Sequence, residues 1–117
     1  MNDSLINLIS RINHFVDERD WSQFHSPKNL AMAMIVEAAE VVEHFQWMTE
    51  KETLELNPEI KEKVGHELAD TFVYLLRLAE VCGIDLIEAT QSKIDLNEKK
   101  YPADKARGSN AKYTAYD

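Results

Sequence analysis

Four acidic residues stand in two stretches of the chain that are otherwise mostly apolar. Glu37 and Glu40 interrupt a run of apolar residues from 30 to 42. Glu67 and Asp70 repeat the same spacing further along. Residues three apart share one face of a helix, and a carboxylate among apolar residues needs a charge partner, a proton or a metal ion. Two such helices can bring four carboxylates to one point, where oxygen ligands suit Mg²⁺ or Mn²⁺.

Other interpretations of these acids stay open at this point. A Glu-x-x-Glu pair is common on solvated helix faces, and salt bridges to Lys63, Arg77 or Lys93 would also satisfy the carboxylates. A di-iron bundle requires Glu-x-x-His on two helices, whereas His44 follows Glu40 by four residues. A soft-metal site is poorly supported, because the chain has one cysteine and four scattered histidines.

The elements that position these acids are predicted to be helices. Apolar residues recur at helical spacing, Ser or Asn precedes Pro at two expected helix starts, and no stretch resembles a strand. Residues 19–25 are predicted to form a loop, and 49–56 a short helical segment that opens on a capping box. We therefore expect an all-α four-helix bundle. The four helices are predicted from a cap at Asp3 or Ser4 to about Glu18, from about Pro27 to Met48, from Asn57-Pro58 to Gly83, and from Asp85 to about Lys99.

The charge of the chain is unevenly distributed. The 117 residues include 13 basic and 21 acidic ones, a net charge of −8, which argues against nucleic acid as a partner. Residues 99–117 nevertheless carry five basic and two acidic residues. We expect a helical domain at 1–102 and a basic tail at 103–117 that is extended or partly disordered.

Cellular context is suggested by what the chain lacks. Its single cysteine, Cys82, allows no intrachain disulfide and is expected in the core together with the methionines. No apolar run reaches the ~18 residues of a membrane span, and the first residues lack the basic start of a signal peptide. These features predict a cytoplasmic protein without a membrane partner.

The acidic pattern resembles a known signature. Glu37-Ala-Ala-Glu40, 26 intervening residues and Glu67-Leu-Ala-Asp70 resemble the ExxE…ExxD motif of the all-α nucleoside triphosphate pyrophosphohydrolases of the MazG-like type. Further segments resemble the dCTP pyrophosphatase branch of that family. These are ERDWSQFHSPKNL at 18–30, Phe45-Gln46-Trp47, Tyr101-Pro102 and Lys112-Tyr113-Thr114.

The resemblance implies a fold, a reaction and a set of site residues. It implies a homotetrameric bundle (a dimer of dimers) with active sites across subunit contacts. It also implies Mg²⁺-dependent conversion of a dNTP, with dCTP or a modified dCTP favoured, to dNMP and pyrophosphate in nucleotide-pool sanitation. Mn²⁺ is a possible substitute. The implied metal ligands are Glu37, Glu40, Glu67 and Asp70. The implied substrate contacts are Trp21, Phe24, His25, Trp47, Tyr74, Lys93 and Asn97.

Some points stay open after the resemblance. The branch can carry a substrate-contacting histidine on its first helix, where this chain has Ile12 and only a nearby His14. Base preference is therefore open, and an NTP pyrophosphohydrolase of other or broad specificity, including dUTP or a damaged base, is an alternative. A non-catalytic helical interaction module is another. Spacing does not choose between Glu37 and Glu40 as the group that activates water.

Overall fold

The computed structural model describes residues 3–116, in which every regular element is helical and no strand occurs. This confirms the predicted all-α class. A 3-10 turn at Ser22–Phe24 lies within the segment expected to be a loop. The helices are α1 (Asp3–Glu18), α2 (Pro27–Phe45), α3 (Glu50–Thr53), α4 (Pro58–Val81), α5 (Leu86–Lys100) and α6 (Ala103–Ala106).

Side-chain caps account for the helix starts that the sequence indicates. Ser26 Oγ accepts a hydrogen bond from the Asn29 backbone N–H at 3.1 Å, and a proline begins α2. Asn57 caps α4 in the same way. Thr49 and Glu52 cap each other reciprocally at the start of α3. These bonds satisfy backbone N–H groups that a helix leaves without partners in its first turn.

Two predicted helix ends were wrong. α2 stops at Phe45 instead of Met48, because the Met48 N–H turns back to the Phe45 carbonyl and Thr49 then starts α3. The short helix covers Glu50–Thr53 instead of 49–56. At the end of α2 the turn that leads into the Thr49 cap overrides the helical periodicity, and α3 ends where the Leu54 N–H turns back to the Lys51 carbonyl at 3.1 Å.

The chain divides into two compact units, the first ending at Ile84. Within this unit α2 packs mainly against α4, and α1 also contacts α4. Each helix therefore contributes one apolar stripe to a shared core. The buried apolar side chains of the described residues are Ile12, Val16, Leu30, Val64, Leu76 and Ala79.

Several large apolar side chains of helix α2 are exposed in the part of the chain that the structure describes. Met32, Ile35 and Val42 are 50%, 63% and 58% exposed, although the apolar run predicts burial on all sides. That expectation is wrong for the single chain, because only the side of α2 that faces α4 is covered. Cys82 is likewise exposed instead of lying in the core. No helix among residues 3–116 is long and apolar enough to cross a membrane.

The second unit begins at Asp85 and contains α5, α6 and a 3-10 turn at Tyr113–Tyr116. Tyr101, at the end of α5, makes edge-to-face contacts with Tyr113 and Tyr116 at centroid distances of 6.3 and 6.0 Å. Lys105 Nζ donates to the Tyr116 carbonyl at 3.2 Å. The expectation of an extended tail from residue 103 is therefore wrong, because aromatic contacts fold the last residues back onto α5.

Candidate functional site

Three of the four predicted metal ligands meet between α2 and α4. One carboxylate oxygen from each of Glu37, Glu67 and Asp70 lies within 4.8 Å of the other two. Glu37 and Glu67 are half-buried and Asp70 is exposed. Glu40 is not part of this triplet. Its carboxyl nevertheless lies close enough to Glu37 and Glu67 to raise the pKa of both.

The electrostatics of this acid cluster (Glu37, Glu40, Glu67 and Asp70) favour the binding of a positive charge. Burial is the largest cause that raises the pKa of Glu37 to about 7, followed by the neighbouring Glu40 carboxyl and the charges of Asp70 and Glu67. The interaction with Glu40, then burial, raises the pKa of Glu67. Oε2 of Glu37 and Oε2 of Glu67 are buried without a hydrogen-bond partner. Such oxygens destabilise a protein unless something satisfies them.

The salt bridges that could have explained the acids do not form among residues 3–116. Lys63 pairs with Glu59 at 3.3 Å, on the exposed surface of α4. Arg77 is bonded to His25 and Asn13. Among the described residues, the cluster has an ion-pair contact with Nε2 of His44, which lies 4.0 Å from Glu67 Oε1.

A cavity of about 260 Å³ lies directly beside the acid cluster. It combines two of the carboxylates with aromatic and apolar side chains, and its volume is slightly below the roughly 300–1,000 Å³ typical of small-molecule sites. Aromatic rings can stack on a flat heterocycle, and the neighbouring carboxyls would accept an anionic group of the same ligand only together with a cation. The lining residues are Phe15, Val16, Trp21, His25, Glu37, Asp70, Val73 and Tyr74.

Local hydrogen bonds position the segment that contributes Trp21 and His25. Asp20 adopts a left-handed conformation (φ +53°), which aspartate tolerates better than most residues, and accepts a hydrogen bond from the Gln23 amide at 3.0 Å. Trp21 then packs edge-on against Phe15, with 5.6 Å between ring centroids. At the other end, Asn29 Nδ2 donates to the Phe24 carbonyl at 3.1 Å. The segment is thus held at both ends.

The predicted substrate contacts divide into two groups. Trp21, His25 and Tyr74 line the cavity beside the acids. Phe24 and Trp47 do not line it and are 60% and 89% exposed. Lys93 is exposed and Asn97 half-buried, and both belong to α5 in the second unit.

Sequence reasoning did not assign several residues that the structure places at the site. His44 lies seven residues after Glu37 on α2, a spacing that puts both on one helix face and could have indicated its position. Phe15, Val16 and Val73 line the cavity but carry only the apolar signal of a core residue. The sequence suggests Arg77 only as a salt-bridge partner of the acids, whereas its side chain donates a hydrogen bond to His25.

The chain is similar in sequence and in structure to known pyrophosphatases. Residues 32–115 match the model of the MazG-like family. The chain is 44% identical over 102 residues to the human dCTP pyrophosphatase 1 and 42% identical to the rat one. Each match covers 86% of this chain, which spans 60% of the length of those relatives. It also resembles a pyrophosphatase crystal structure from Archaeoglobus fulgidus with TM-score 0.81 and 39% identity, covering 87% of this chain and 95% of that one.

Proposed function

Because the chain belongs to the MazG-like family, we propose that it is a Mg²⁺-dependent nucleoside triphosphate pyrophosphohydrolase. The observation that carries this proposal is the meeting of Glu37, Glu67 and Asp70 within 4.8 Å, beside a cavity lined by aromatic side chains. The substrate is a dNTP, which is converted to dNMP and pyrophosphate. The names of the human and rat relatives support dCTP as the favoured substrate, and a modified dCTP is proposed as the alternative.

The donor set of the acid cluster fits a hard divalent cation. Two buried oxygens, Oε2 of Glu37 and Oε2 of Glu67, have no partner, and every donor in the cluster is a carboxylate. Glu37, Glu40, Glu67 and Asp70 would hold Mg²⁺, with Mn²⁺ as a substitute. The cation would neutralise phosphate oxygens and stabilise charge in the transition state.

The protein residues supply water activation and positioning. Glu37 or Glu40 accepts the proton of the water that attacks the phosphoanhydride. Trp21 and Tyr74 provide ring faces for the base at the cavity wall.

We further propose that the site is completed in a homotetramer, a dimer of dimers. The support is the amount of apolar surface that a single chain leaves uncovered, including Ile35 at 63% and Trp47 at 89% exposed. In this arrangement, assembly would bring four further predicted contacts to the nucleotide, which are Phe24, Trp47, Lys93 and Asn97. A mass of four chains by light scattering is expected, and a monomer would contradict this arrangement.

We also propose a domain boundary and a cellular role. The first is the boundary between a catalytic domain at 1–102 and a basic tail at 103–117. The second is a cytoplasmic role in nucleotide-pool sanitation, without nucleic acid or membrane as a partner. The acidic body, with a net charge of −8 for the whole chain, supports the lack of a nucleic-acid partner.

A nucleotide panel tests the activity. The full chain is incubated with Mg²⁺ and each canonical dNTP and NTP, together with 5-substituted dCTP analogues, and both pyrophosphate and orthophosphate are measured. Pyrophosphate with the matching monophosphate is expected, fastest for cytosine deoxynucleotides. Orthophosphate as the only product would contradict cleavage at the α-phosphate. No turnover of any nucleotide would favour a binding module.

A matched pair of α2 variants assigns any activity to the cluster. Glu40→Gln removes a charge next to Glu37 and Glu67, and we expect turnover to disappear. Glu43→Gln removes the same charge from an exposed position on the same helix, and we expect activity within about twofold of wild type. Equal activity of the two variants would remove Glu40 from the site.

A further inference from the structure

Arg77 is a buried charge that has no carboxylate partner among the described residues. It lies on α4 and is 7% exposed. Its Nε donates to Nδ1 of His25 at 3.2 Å, and its Nη1 donates to Oδ1 of Asn13 at 3.0 Å. Burial of a guanidinium is costly, and an apolar residue would fill a core position without that cost. The role of the buried Arg77 charge is therefore inferred from these two hydrogen bonds.

The first bond determines the protonation state of His25. Arginine has only donors, so Nδ1 of His25 must be the acceptor, and the neutral ring carries its proton on Nε2. Burial, and then the charge of Arg77, lowers the pKa of His25, which keeps the ring neutral at pH 7. Nε2 makes no hydrogen bond to any residue between 3 and 116.

The second bond connects Arg77 to Asn13 and, through Asn13, to Glu80. Because Oδ1 of Asn13 accepts from Arg77, its Nδ2 points the other way and donates to Oε1 of Glu80 at 3.5 Å. The resulting chain of side chains is Glu80, Asn13, Arg77 and His25, and only His25 lines the cavity beside Glu37 and Asp70. Arg77 thus acts on the cavity through the imidazole.

We propose that Arg77 is a positioning residue that holds His25 as an Nε2–H donor at the cavity wall, where it binds an oxygen acceptor of the substrate. The inference rests on the proposed function for the identity of that substrate, a nucleotide. The acceptor is a carbonyl or hydroxyl oxygen of the nucleoside or an oxygen of the phosphates. A substrate that presents an N–H donor at this point would be rejected, because two donors would face each other.

The tautomer of His25 is measured first, without any substrate or turnover. Long-range ¹H–¹⁵N spectra of the full chain are expected to show an unprotonated Nδ1 and a protonated Nε2. Arg77→Met removes both donors, and we expect the Nδ1 acceptor signature to be lost in favour of a mixture of tautomers. Leu76→Val, a mild change at the adjacent buried position, serves as the control and is expected to keep the wild-type spectrum. A protonated Nδ1 in the wild type, or an unchanged spectrum in Arg77→Met, would overturn the proposal.

Two probes then locate the acceptor. Deoxycytidine carries the nucleoside oxygens without phosphate, and tripolyphosphate with Mg²⁺ carries the phosphates without a base. A shift of the His25 Nε2 resonance with deoxycytidine places the acceptor on the nucleoside, and a shift with tripolyphosphate places it on the phosphates. No shift with either probe would overturn the role of His25 as a substrate donor.

Kinetics separate positioning from structural support. Arg77→Met is expected to raise KM for the preferred nucleotide about three- to tenfold, the effect of one lost hydrogen bond, with a smaller change in kcat. In a His25→Ala background the same substitution should leave KM unchanged, because the group through which it acts is absent. Equal increases in both backgrounds would contradict positioning through His25. If the wild type turns over no nucleotide, the activity proposal fails, while the tautomer measurement still decides the role of Arg77.

Discussion

The first compact unit contains two charged groups of opposite character. The acid cluster contains four carboxyls in mutual repulsion, two of which have a buried oxygen without a partner, and Glu37 and Asp70 line the cavity. Arg77 is buried, has two hydrogen-bond acceptors and reaches the cavity through His25. Asp70 and Arg77 are seven residues apart, two turns of the same helix. Charged groups without partners therefore mark the place where a ligand binds, whereas a charged group with partners supports the site from within the fold.

The two groups should respond to mutation in opposite ways. Neutralising a carboxylate in the acid cluster removes repulsion and the cost of a buried charge, so it stabilises the metal-free chain while it removes function. Removing Arg77 leaves His25 and Asn13 without their donor and creates a void, so it destabilises the chain. Stability and activity therefore change in opposite directions for the acid cluster and in the same direction for Arg77.

The largest effects are expected in the acid cluster, for Glu37→Gln as for Glu40→Gln. We expect turnover to fall by at least about a hundredfold, the range for loss of a group that stabilises transition-state charge, and Mg²⁺ binding to weaken. The melting temperature of the metal-free variant at pH 8 should rise, because the pKa of Glu37 near 7 makes its charged form unfavourable. Steady-state kinetics, calorimetric Mg²⁺ titration and thermal unfolding measure the three quantities.

Glu43→Gln is the control for that variant, since it changes an exposed glutamate on the same helix. Its melting temperature, Mg²⁺ affinity and kcat should match those of the wild type. A Glu37→Gln protein that keeps full activity would contradict the proposed role of the acid cluster.

The pH dependence of stability follows from the direction of the Glu37 pKa. The folded chain holds a proton on this group up to about pH 7, whereas the unfolded chain releases it near 4.5. The folded state therefore binds more protons between these values, and the free energy of unfolding of the metal-free protein falls as pH rises through them. Thermal unfolding between pH 5 and 8 measures this.

Saturating Mg²⁺ should reverse that trend, because it replaces the proton as the partner of the carboxylates. The increase in melting temperature on adding Mg²⁺ is expected to be larger at pH 8 than at pH 5. An equal increase at both pH values would show that the cation binds elsewhere.

A smaller effect, on stability, is expected for Arg77→Ala. We expect unfolding to require about 2–4 kcal/mol less, from the void and from two acceptors left unpaired. Lys63→Ala is the matched control on α4, since its ion pair with Glu59 is exposed and should contribute at most about 0.5 kcal/mol. Urea denaturation of both variants compares them, and equal losses would remove Arg77 from its supporting role.

The smallest effect is expected for Asn13→Ala. It removes the acceptor of Arg77 Nη1 but leaves the bond from Nε to His25 in place. A loss of about 1 kcal/mol in stability and an increase in KM of no more than about threefold should follow. A KM effect as large as that of Arg77→Met would mean that the anchor, and not the contact with His25, determines the position of the imidazole.

Local signals in the sequence predicted much of this molecule. Ser26 and Asn57 cap α2 and α4 as their residue types indicate, and the equal spacing of the acids places Glu37 beside Glu67 and Asp70. These features depend on neighbouring residues or on the helical repeat. The sequence alone is enough to recognise them.

Features that depend on tertiary packing could not be predicted from these local signals. The bonds from Arg77 reach His25 and Asn13, which are 52 and 64 residues away. The exposure of Ile35 also contradicts an expectation based on apolar composition, because composition does not tell which faces of a helix the same chain covers.

Anomalous scattering from a crystal of the full chain grown with Mn²⁺ tests the central claim most directly. The account predicts a single strong peak, or two close peaks, within coordinating distance of the carboxylates of Glu37, Glu67 and Asp70, and no such peak in Glu37→Gln. Manganese bound elsewhere, or no peak between α2 and α4 at millimolar Mn²⁺, would contradict it.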